Sequence, residues 1–391
     1  MKTKTERDRI LAIKRYSNGE RITTIARSLG RARQWVYKWI DRYESSEELS
    51  TWHQRLSASP HNHPHQLSVE IVEAVKMVRL SLYNKGVFCG AQAIEWELRE
   101  LGVTPLPSLR SINRILSREE LTHRRTGRYE PKGKTYPVLR GDHVNQVHQT
   151  DYVGPCYLNG PIRFYSLNSV DLATGRCAIS PVLFKAGQNT VDAIWSNWFR
   201  LGIPKHQQVD NELVFYGSRR HPRGMGNLIR LCLLNGVQPW FIPMAEPWRN
   251  GVVEKFNDHF RARFLTRVVM RGEEDLRQQS LIFEQKHNTL YRYSKLKGRT
   301  PQIALEQSRD TIRFPESSEA PRCPLPKPRT GSYHLVRFIR SDGILDIFGE
   351  RFSLPPEAAY EYAVATIDIE KQTLEVKIAG MIIDQRKYLV R

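Results

Sequence analysis

The chain has 391 residues, room for several domains, and its 60 Lys and Arg against 41 Asp and Glu leave a formal charge of +19. So basic a protein attracts polyanions, and because its cations are interleaved with tryptophan and tyrosine on helix-like segments, double-stranded DNA is the leading partner rather than a membrane surface. No stretch approaches the roughly 18 continuous apolar residues of a membrane span, the N-terminal segment lacks the apolar centre of a secretory signal, and cysteines 89, 156, 177, 232 and 323 are scattered without a Cys-x-x-Cys pair, which argues against a zinc finger and for free thiols in a reducing cytoplasm.

Residues 6 to 43 carry three helical patterns. In the second and third, Ile25, Ala26, Leu29, Val36, Trp39 and Ile40 have the spacing that packs two short helices across one another, and Gly30 supplies the turn between them. This is a helix-turn-helix pattern, whose second helix enters the major groove. Arg31, Arg33, Gln34, Tyr37 and Lys38 are left facing outward and are the expected DNA contacts. The run from His61 to His65 has no cysteine at ligand spacing and reads as a polar linker.

A second helical unit spans residues 68 to 116, with Val69, Ile71, Val72, Val75 and Val78 at helical intervals and a cap at Pro107 and Ser108. It places Arg110, Ser111, Asn113 and Arg114 in or beside a second recognition helix. Residues 117 to 142 turn polar and basic, with Arg124, Arg125, Arg128, Lys132 and Lys134, while Pro131 and Pro137 prevent a helix. Such a linker either tracks phosphates or is simply solvated.

The middle of the chain holds three acidic landmarks: Asp151 in His-Gln-Thr-Asp, Asp210 in Gln-Val-Asp-Asn, and Glu254 in Asn-Gly-Val-Val-Glu. Candidate strands surround Asp151 and run from 162 to 170 and from 177 to 184; a helix is expected over 188 to 201, then a strand 206 to 209 ending on Asp210. Glu254 opens a helix after the Asn250-Gly251 break. Asp151 and Asp210 each end an apolar run, where a carboxylate is costly unless it reaches water or a cation. Asp171, Asp192, Glu212 and Asp258 read instead as solvated surface or caps. Two carboxylates at strand ends and a third on a helix can meet at one sheet edge, where oxygen ligands suit Mg²⁺ or Mn²⁺.

As a set, these acids resemble the acid triad of transposases of the retroviral-integrase superfamily, of the type found in bacterial insertion sequences; the resemblance covers residues 140 to 310 well and the flanks more loosely. The 43 residues between Asp210 and Glu254 exceed the family's usual interval. Glu246 would restore it, but Glu246 lies in a loop before Pro247, whereas Glu254 has the matching Asn250-Gly251 and a helix behind it; the basic, glycine-rich stretch 216 to 225 reads as the insertion responsible. The resemblance implies that Asp151, Asp210 and Glu254 hold two Mg²⁺ or Mn²⁺ ions for DNA cleavage and strand transfer at the ends of a mobile element. It also implies a homo-oligomer acting on element ends and target DNA, in a bacterial cytoplasm beside the nucleoid.

Beyond Glu254 the sequence calls for a long basic helical region. There Lys255 and Asn257 either hold a DNA end or belong to a solvated basic face, and His287, Asn288, Tyr291 and Arg292 are expected to pack or meet the DNA backbone. After the proline-rich stretch 315 to 330, short apolar runs separated by turns indicate a small β-barrel that serves either DNA binding or assembly. The expected organisation is therefore multidomain: all-α helix-turn-helix units over 1–50 and 66–120, a basic linker 121–140, an α/β ribonuclease-H-like catalytic core 141–312, and the β-barrel 331–391. A nuclease with the same core, or a DNA-binding regulator in which that core only dimerises, remain alternatives.

Overall fold

In the computed structural model, residues 4–46, 52–54, 67–122, 135–158, 162–218, 220–221 and 223–391 are described, so the run His61 to His65 and the linker's Arg124, Arg125, Arg128, Lys132 and Lys134 lie outside them. The chain divides into two compact units, Met1–Leu67 and Ser68–Arg391.

The first unit contains α1 (Lys4–Ser17), α2 (Ile22–Ser28) and α3 (Arg33–Glu44). Ile25, Ala26, Val36, Trp39 and Ile40 are buried against Ala12, Ile13 and Trp52, so the apolar spacing in the sequence is that of a helix-turn-helix core. Gly30, at φ +62°, ends α2: its N–H and that of Arg31 return to the Arg27 and Ala26 carbonyls, a left-handed stop that a side chain would strain.

The second unit opens with α4 (Val69–Asn84), α5 (Ala91–Glu100) and α6 (Leu109–Arg118). Ser108 caps α6 by accepting from the Ser111 N–H at 3.2 Å. These helices are fastened to the later part of the unit, since the Tyr291 hydroxyl donates to the Gly86 carbonyl at 2.8 Å and Phe88 packs edge-on against His259 and Tyr291.

The centre of the unit is a mixed sheet. Strands β1 (Val147–Tyr157), β2 (Arg163–Asp171) and β3 (Cys177–Val182) form an antiparallel meander; α7 (Gly187–Leu201) then crosses so that β4 (His206–Val209) lies parallel to β1. After α8 (Leu213–Tyr216) and α9 (Asn227–Leu234), β5 (Gln238–Phe241) pairs parallel to β4. One face is covered by α7 and α9 through Trp198, Ile194, Leu228 and Ile229. On the other, α10 (Gly251–Phe260) and α11 (Glu273–Leu290) bury Val253, Phe256, Phe260 and Phe283 against Val153, Phe164 and Ile179. Successive β1 residues Tyr152 and Val153 therefore serve opposite cores, as strand alternation requires. The short α12 (Pro301–Glu306) is capped by Thr300. No helix among the described residues is long and apolar enough to cross a membrane.

The expected C-terminal strands are present as β6 (Ser332–Phe338), β7 (Ile344–Ile347), β8 (Glu350–Ser353), β9 (Tyr362–Asp368), β10 (Thr373–Ile378) and β11 (Met381–Lys387), but they do not close into a barrel. β6 pairs in parallel with β5, at Trp240 with His334 and Phe241 with Leu335, and the sheet runs on through β9 and β10 to an open edge at β11, with β7 and β8 as a separate hairpin. The physical reason is the unpaired flank of β5: a strand laid there satisfies backbone groups that closure of the last strands would leave open. One apolar core consequently extends from Trp198 and Phe241 to Leu335, Ile347, Ile367 and Val376.

Arg337 of β6 is the polar rivet of this junction. Buried to 5% exposure, it donates to the Asp346 carbonyl (2.9 Å), the Val336 carbonyl (2.8 Å), the Ile242 carbonyl (3.3 Å) and Asn211 Oδ1 (2.9 Å). Replacing it with methionine, Arg337→Met, strands these acceptors and is expected to cost on the order of 3 kcal/mol, read as a lower midpoint in urea unfolding.

Candidate active site

The β1–β4 register decides where the two aspartates lie. Val147 pairs with His206, His148 with Gln207 and Gln149 with Gln208; continuing two residues along both strands brings Asp151 beside Asp210. Adjacent parallel strands are about 4.8 Å apart, so the carboxylates are neighbours. Asp210 Oδ1 accepts from the Glu212 N–H at 3.0 Å, a tight turn that aims the loop away from the strand, and Asn211 is held by its own bond to the Ile242 carbonyl at 2.6 Å and by Arg337.

A ladder of amides docks α10 across these strands. Gln149 Oε1 accepts from the N–H groups of Val252 and Val253, at 2.9 and 3.2 Å, satisfying two first-turn donors of the helix. Asn250 donates to the Thr150 carbonyl, and Gln208 donates to the Arg249 carbonyl. Asn257, buried at 3% exposure, donates to Asp151 Oδ2 at 2.9 Å and accepts from Asn168 at 2.9 Å. Glu254 precedes Asn257 by three positions, on the same side of the helix, and its charge acts on Asp151.

Electrostatically the site is loaded. Burial pushes Asp151 up to about 6, reinforced by the charges of Glu212 and Glu254 and opposed by hydrogen bonds from the Tyr152 backbone and Asn257. Burial likewise pushes Asp210 up to about 7, with Glu212 and Asp151 adding to it and the Glu212 N–H and Lys185 opposing. Glu254 is raised by burial and by Asp258. Lys185, the nearby cation, is engaged elsewhere: it donates to both Glu212 oxygens, at 2.6 and 2.9 Å, and lies 4.7 Å from the Tyr152 ring centroid.

Glu246 has a different role in the structure. It pairs with Arg249 at 2.9 Å and accepts from the Tyr362 hydroxyl at 2.9 Å, while Arg249 also stacks on Tyr136. It is committed to fastening the loop before α10 to β9.

The donor set of Asp151, Asp210 and Glu254 consists of oxygens alone and suits a hard divalent cation. Two of these carboxylates lie half-buried side by side with raised proton affinity, the condition a cation relieves. Among the described residues, however, no group of three or more His, Cys, Asp or Glu side chains is gathered around one point as a ligand cage. Asp151 and Asp210 form the adjacent pair, and Glu254 stands by it on α10.

The expected DNA contacts divide by how free they are. On α3, Arg33, Gln34, Tyr37 and Lys38 share an exposed face, whereas Arg31 is tied to Asp8 at 2.9 Å. On α6, Arg110 and Arg114 are exposed; Ser111 bonds the Ser108 hydroxyl and Asn113 donates to the Leu109 carbonyl. Lys255 is exposed and makes no ion pair among the described residues. Asn257, expected to hold DNA, is instead the buried partner of Asp151, because its turn of α10 faces β1 and β2. Asp171, expected as solvated surface or a helix cap, is neither: 1% exposed at the end of β2, it accepts from the Asn145 and Thr174 N–H groups and holds the turn before β3. Asn288 packs as expected, exchanging hydrogen bonds with the Cys177 backbone.

Three residues at the site are given no part in it by the sequence: Glu212, which reads there as surface or cap, Lys185, which carries no motif, and Gln149, which lies inside the His-Gln-Thr-Asp landmark without a role of its own. Gln149 was discoverable, since strand alternation puts it on the face of Asp151. Glu212 follows Asp210 by two residues, a spacing that equally describes any turn. Lys185 is brought in only by the fold.

Residues 3–50 match a homeodomain-like domain. No curated protein matches the chain. Among solved structures, the magnesium complex of the HTLV-2 integrase catalytic core domain (trimeric form) is similar at 18% identity, covering 42% of this chain and 99% of that one, with a TM-score of 0.34. The simian T-cell lymphotropic virus intasome in complex with the PP2A regulatory subunit B56γ aligns at 14% identity over 81% of this chain and 99% of that one, TM-score 0.39. The BIV integrase catalytic core domain aligns at 18% identity over 41% and 95%, TM-score 0.30. At these scores the chemistry of the site rests on the chain's own geometry.

The raised proton affinity of Asp210 has a definite pH signature. A carboxylate with folded pKa near 7 is stabilised fully below its unfolded value near 4, and that stabilisation is lost as pH rises through 7. Asp210→Asn, which cannot ionise, should match wild type in melting temperature near pH 4, exceed it increasingly up to pH 7, and hold a constant lead above that. Thermal unfolding in EDTA, read as the variant-minus-wild-type difference, cancels the opposite trend of buried His148 and His287, which burial pushes down to about 4.

Proposed function

We propose that this protein is a DNA transposase that binds the ends of a mobile element and carries out metal-dependent strand cleavage and strand transfer. The observation that carries the reading is the half-buried pair Asp151, within β1, and Asp210, just past the end of the adjacent parallel strand β4, with Glu254 on the helix docked over them. The strand order β3-β2-β1-β4-β5, with β2 antiparallel to its neighbours, is the arrangement expected of a ribonuclease-H-like core. A homeodomain-like domain at the N-terminus supplies DNA binding to go with it.

In this reading Asp151, Asp210 and Glu254 hold two Mg²⁺ or Mn²⁺ ions, which when bound supply activation of the attacking oxygen and stabilisation of the leaving one. The chain's own work is positional. Asn257 fixes one oxygen of Asp151 and so orients the carboxylate as a ligand. The Gln149 contact sets the depth of α10 and therefore of Glu254. Lys185 holds Glu212 beside the aspartates, keeping a fourth carboxylate oriented by a charged hydrogen bond. Arg33, Gln34, Tyr37 and Lys38 of α3 read DNA, with Arg31 positioned behind them by Asp8. Arg110, Arg114 and Lys255 meet phosphates, and Ser111 and Asn113 support that face. Handling both ends of an element together calls for a homo-oligomer.

The test is incubation with DNA carrying the flanks of the protein's own gene, in Mg²⁺ or Mn²⁺, scored for nicked and joined products. Asp210→Asn and Glu254→Gln should reduce joining to below about 1% of wild type while DNA binding persists; Asn257→Ala should lose about 10- to 100-fold as a partner of a ligand; Glu246→Gln should stay near wild type. Nicks without joining would make the protein a nuclease, and binding with no metal-dependent product would make it a regulator. Loss of joining in Glu246→Gln but not in Glu254→Gln would overturn the choice of third acid.

A further inference from the structure

The opposite flank of α10 faces a cavity of about 880 Å³, bounded by α4, α5 and α6 on one side and by α10 and the segment after α11 on the other. Gly251, Val252, Lys255, Phe256 and His259 contribute to it, whereas Asn257 of the same helix bonds Asp151. The cavity and the acid site thus share a helix.

Its lining is chemically one-sided. Arg79, Lys255, Arg263, Arg292 and Lys295 are all present, with no aspartate or glutamate among the described residues lining it. Among the described residues only Arg292 of these five cations meets a carboxylate, Glu100 at 2.5 Å; Lys295 donates to the Leu172 carbonyl and Arg79 to that of Leu121 and to Cys89 Sγ. Two guanidinium nitrogens, Nη1 of Arg263 and Nε of Arg79, are buried without a hydrogen-bond partner among the described residues. Unpaired cationic donors beside an apolar wall are costly, and an anion would relieve them. His259 does not add to the charge, since burial and the neighbouring Lys255 and Arg263 push it down to about 4. The wall itself is aromatic. Phe88, Trp96 and Tyr293 line it, and Trp96 is seated so closely on Gly298 that a Cβ there would come within 2.7 Å of the indole. Planar apolar surface beside unpaired cations is the chemistry that holds a base and its phosphate.

We propose that this cavity is a nucleotide pocket that takes one unpaired nucleotide of the DNA, its base against the aromatic wall and its phosphate on Arg263 and Lys255. Two observations point to DNA over a free mononucleotide. The cavity reaches Asn113 of α6, between the exposed Arg110 and Arg114, and it abuts the helix that carries Glu254. A strand running from α6 toward the acids would pass it. The inference rests on the reading of the protein as a DNA-acting enzyme and adds where a strand end or an extruded base would be parked.

The experiment uses the full chain in EDTA with two duplexes, one carrying 5-iodouracil in a two-nucleotide overhang and one carrying it inside a blunt duplex. Ultraviolet crosslinking with peptide mapping should place the overhang base on the segment containing Phe88 and Trp96 or on that containing Tyr293, with no such crosslink from the blunt duplex. Trp96→Leu and Arg263→Gln should each weaken overhang binding about tenfold while leaving blunt-duplex affinity within about twofold, and Trp96→Phe should restore most of it. Thermal unfolding identifies any variant that fails to fold, in which case the wild-type crosslink decides. Wild type binding both duplexes equally, with crosslinks confined to other segments, would overturn the pocket and leave DNA binding intact; failure to bind either duplex would overturn the function beneath it. Occupancy by thymidine monophosphate, lost in Trp96→Leu, with no overhang crosslink at the cavity, would overturn the DNA assignment in favour of a free nucleotide.

Discussion

The partial desolvation of two neighbouring carboxylates is the constraint around which this protein is organised. The parallel register of β1 and β4 sets Asp151 and Asp210 side by side, and burial raises the proton affinity of both. Such a pair persists only because the surrounding fold over-determines it. Asn257 grips one oxygen of Asp151, the turn at Glu212 grips one oxygen of Asp210, and the two strands are locked by the apolar cores on both faces of the sheet. The stability given up at this point is recovered in packing elsewhere.

The helix bearing Glu254 is placed by polar contacts as well as by apolar ones. Its first-turn N–H groups are spent on Gln149 and its Asn257 on Asp151 and Asn168, while Val253, Phe256 and Phe260 pack into the apolar core against the sheet. Hydrogen bonds are directional where apolar packing is not, so this ladder fixes the rotation of α10 as well as its distance from the sheet. One rotation then serves two ends: Asn257 and Glu254 toward the aspartates, Lys255 and His259 toward the cationic cavity.

The C-terminal strands belong to the same mechanical system. Because β6 pairs with β5, the sheet that carries the aspartates is braced from its far side, and Arg337 reaches back to Asn211, the residue after Asp210. Glu246 and Arg249 tie the loop before α10 to Tyr362 of β9 in the same way. Two of the three acids thus have neighbours clamped by residues more than a hundred positions later in the chain.

Much of this was legible in the sequence, and for a definable reason. Periodicity and turn residues are local, so the helix-turn-helix core of Ile25, Val36 and Trp39, the strand His206–Val209 ending on Asp210, and the helix opening at Gly251 could be read directly. Asp210 betrayed itself because a charge at the end of an apolar run needs an explanation, whereas Asp151, expected at a strand end, lies within β1 with buried Tyr152 and Val153 after it. What sequence could not supply were contacts between segments distant along the chain: Lys185 with Glu212, Asn257 turned inward to Asp151, and the union of cations on α4, α10 and the segment after α11 around one cavity. Nor could it tell a barrel from a sheet extension, since both present the same alternating strands, and the choice fell to the unpaired flank of β5. Local chemistry determined which residues bear charge and which elements form; only tertiary structure decided which charges face one another, because that depends on register and packing between elements whose separation in sequence carries no information about their separation in space.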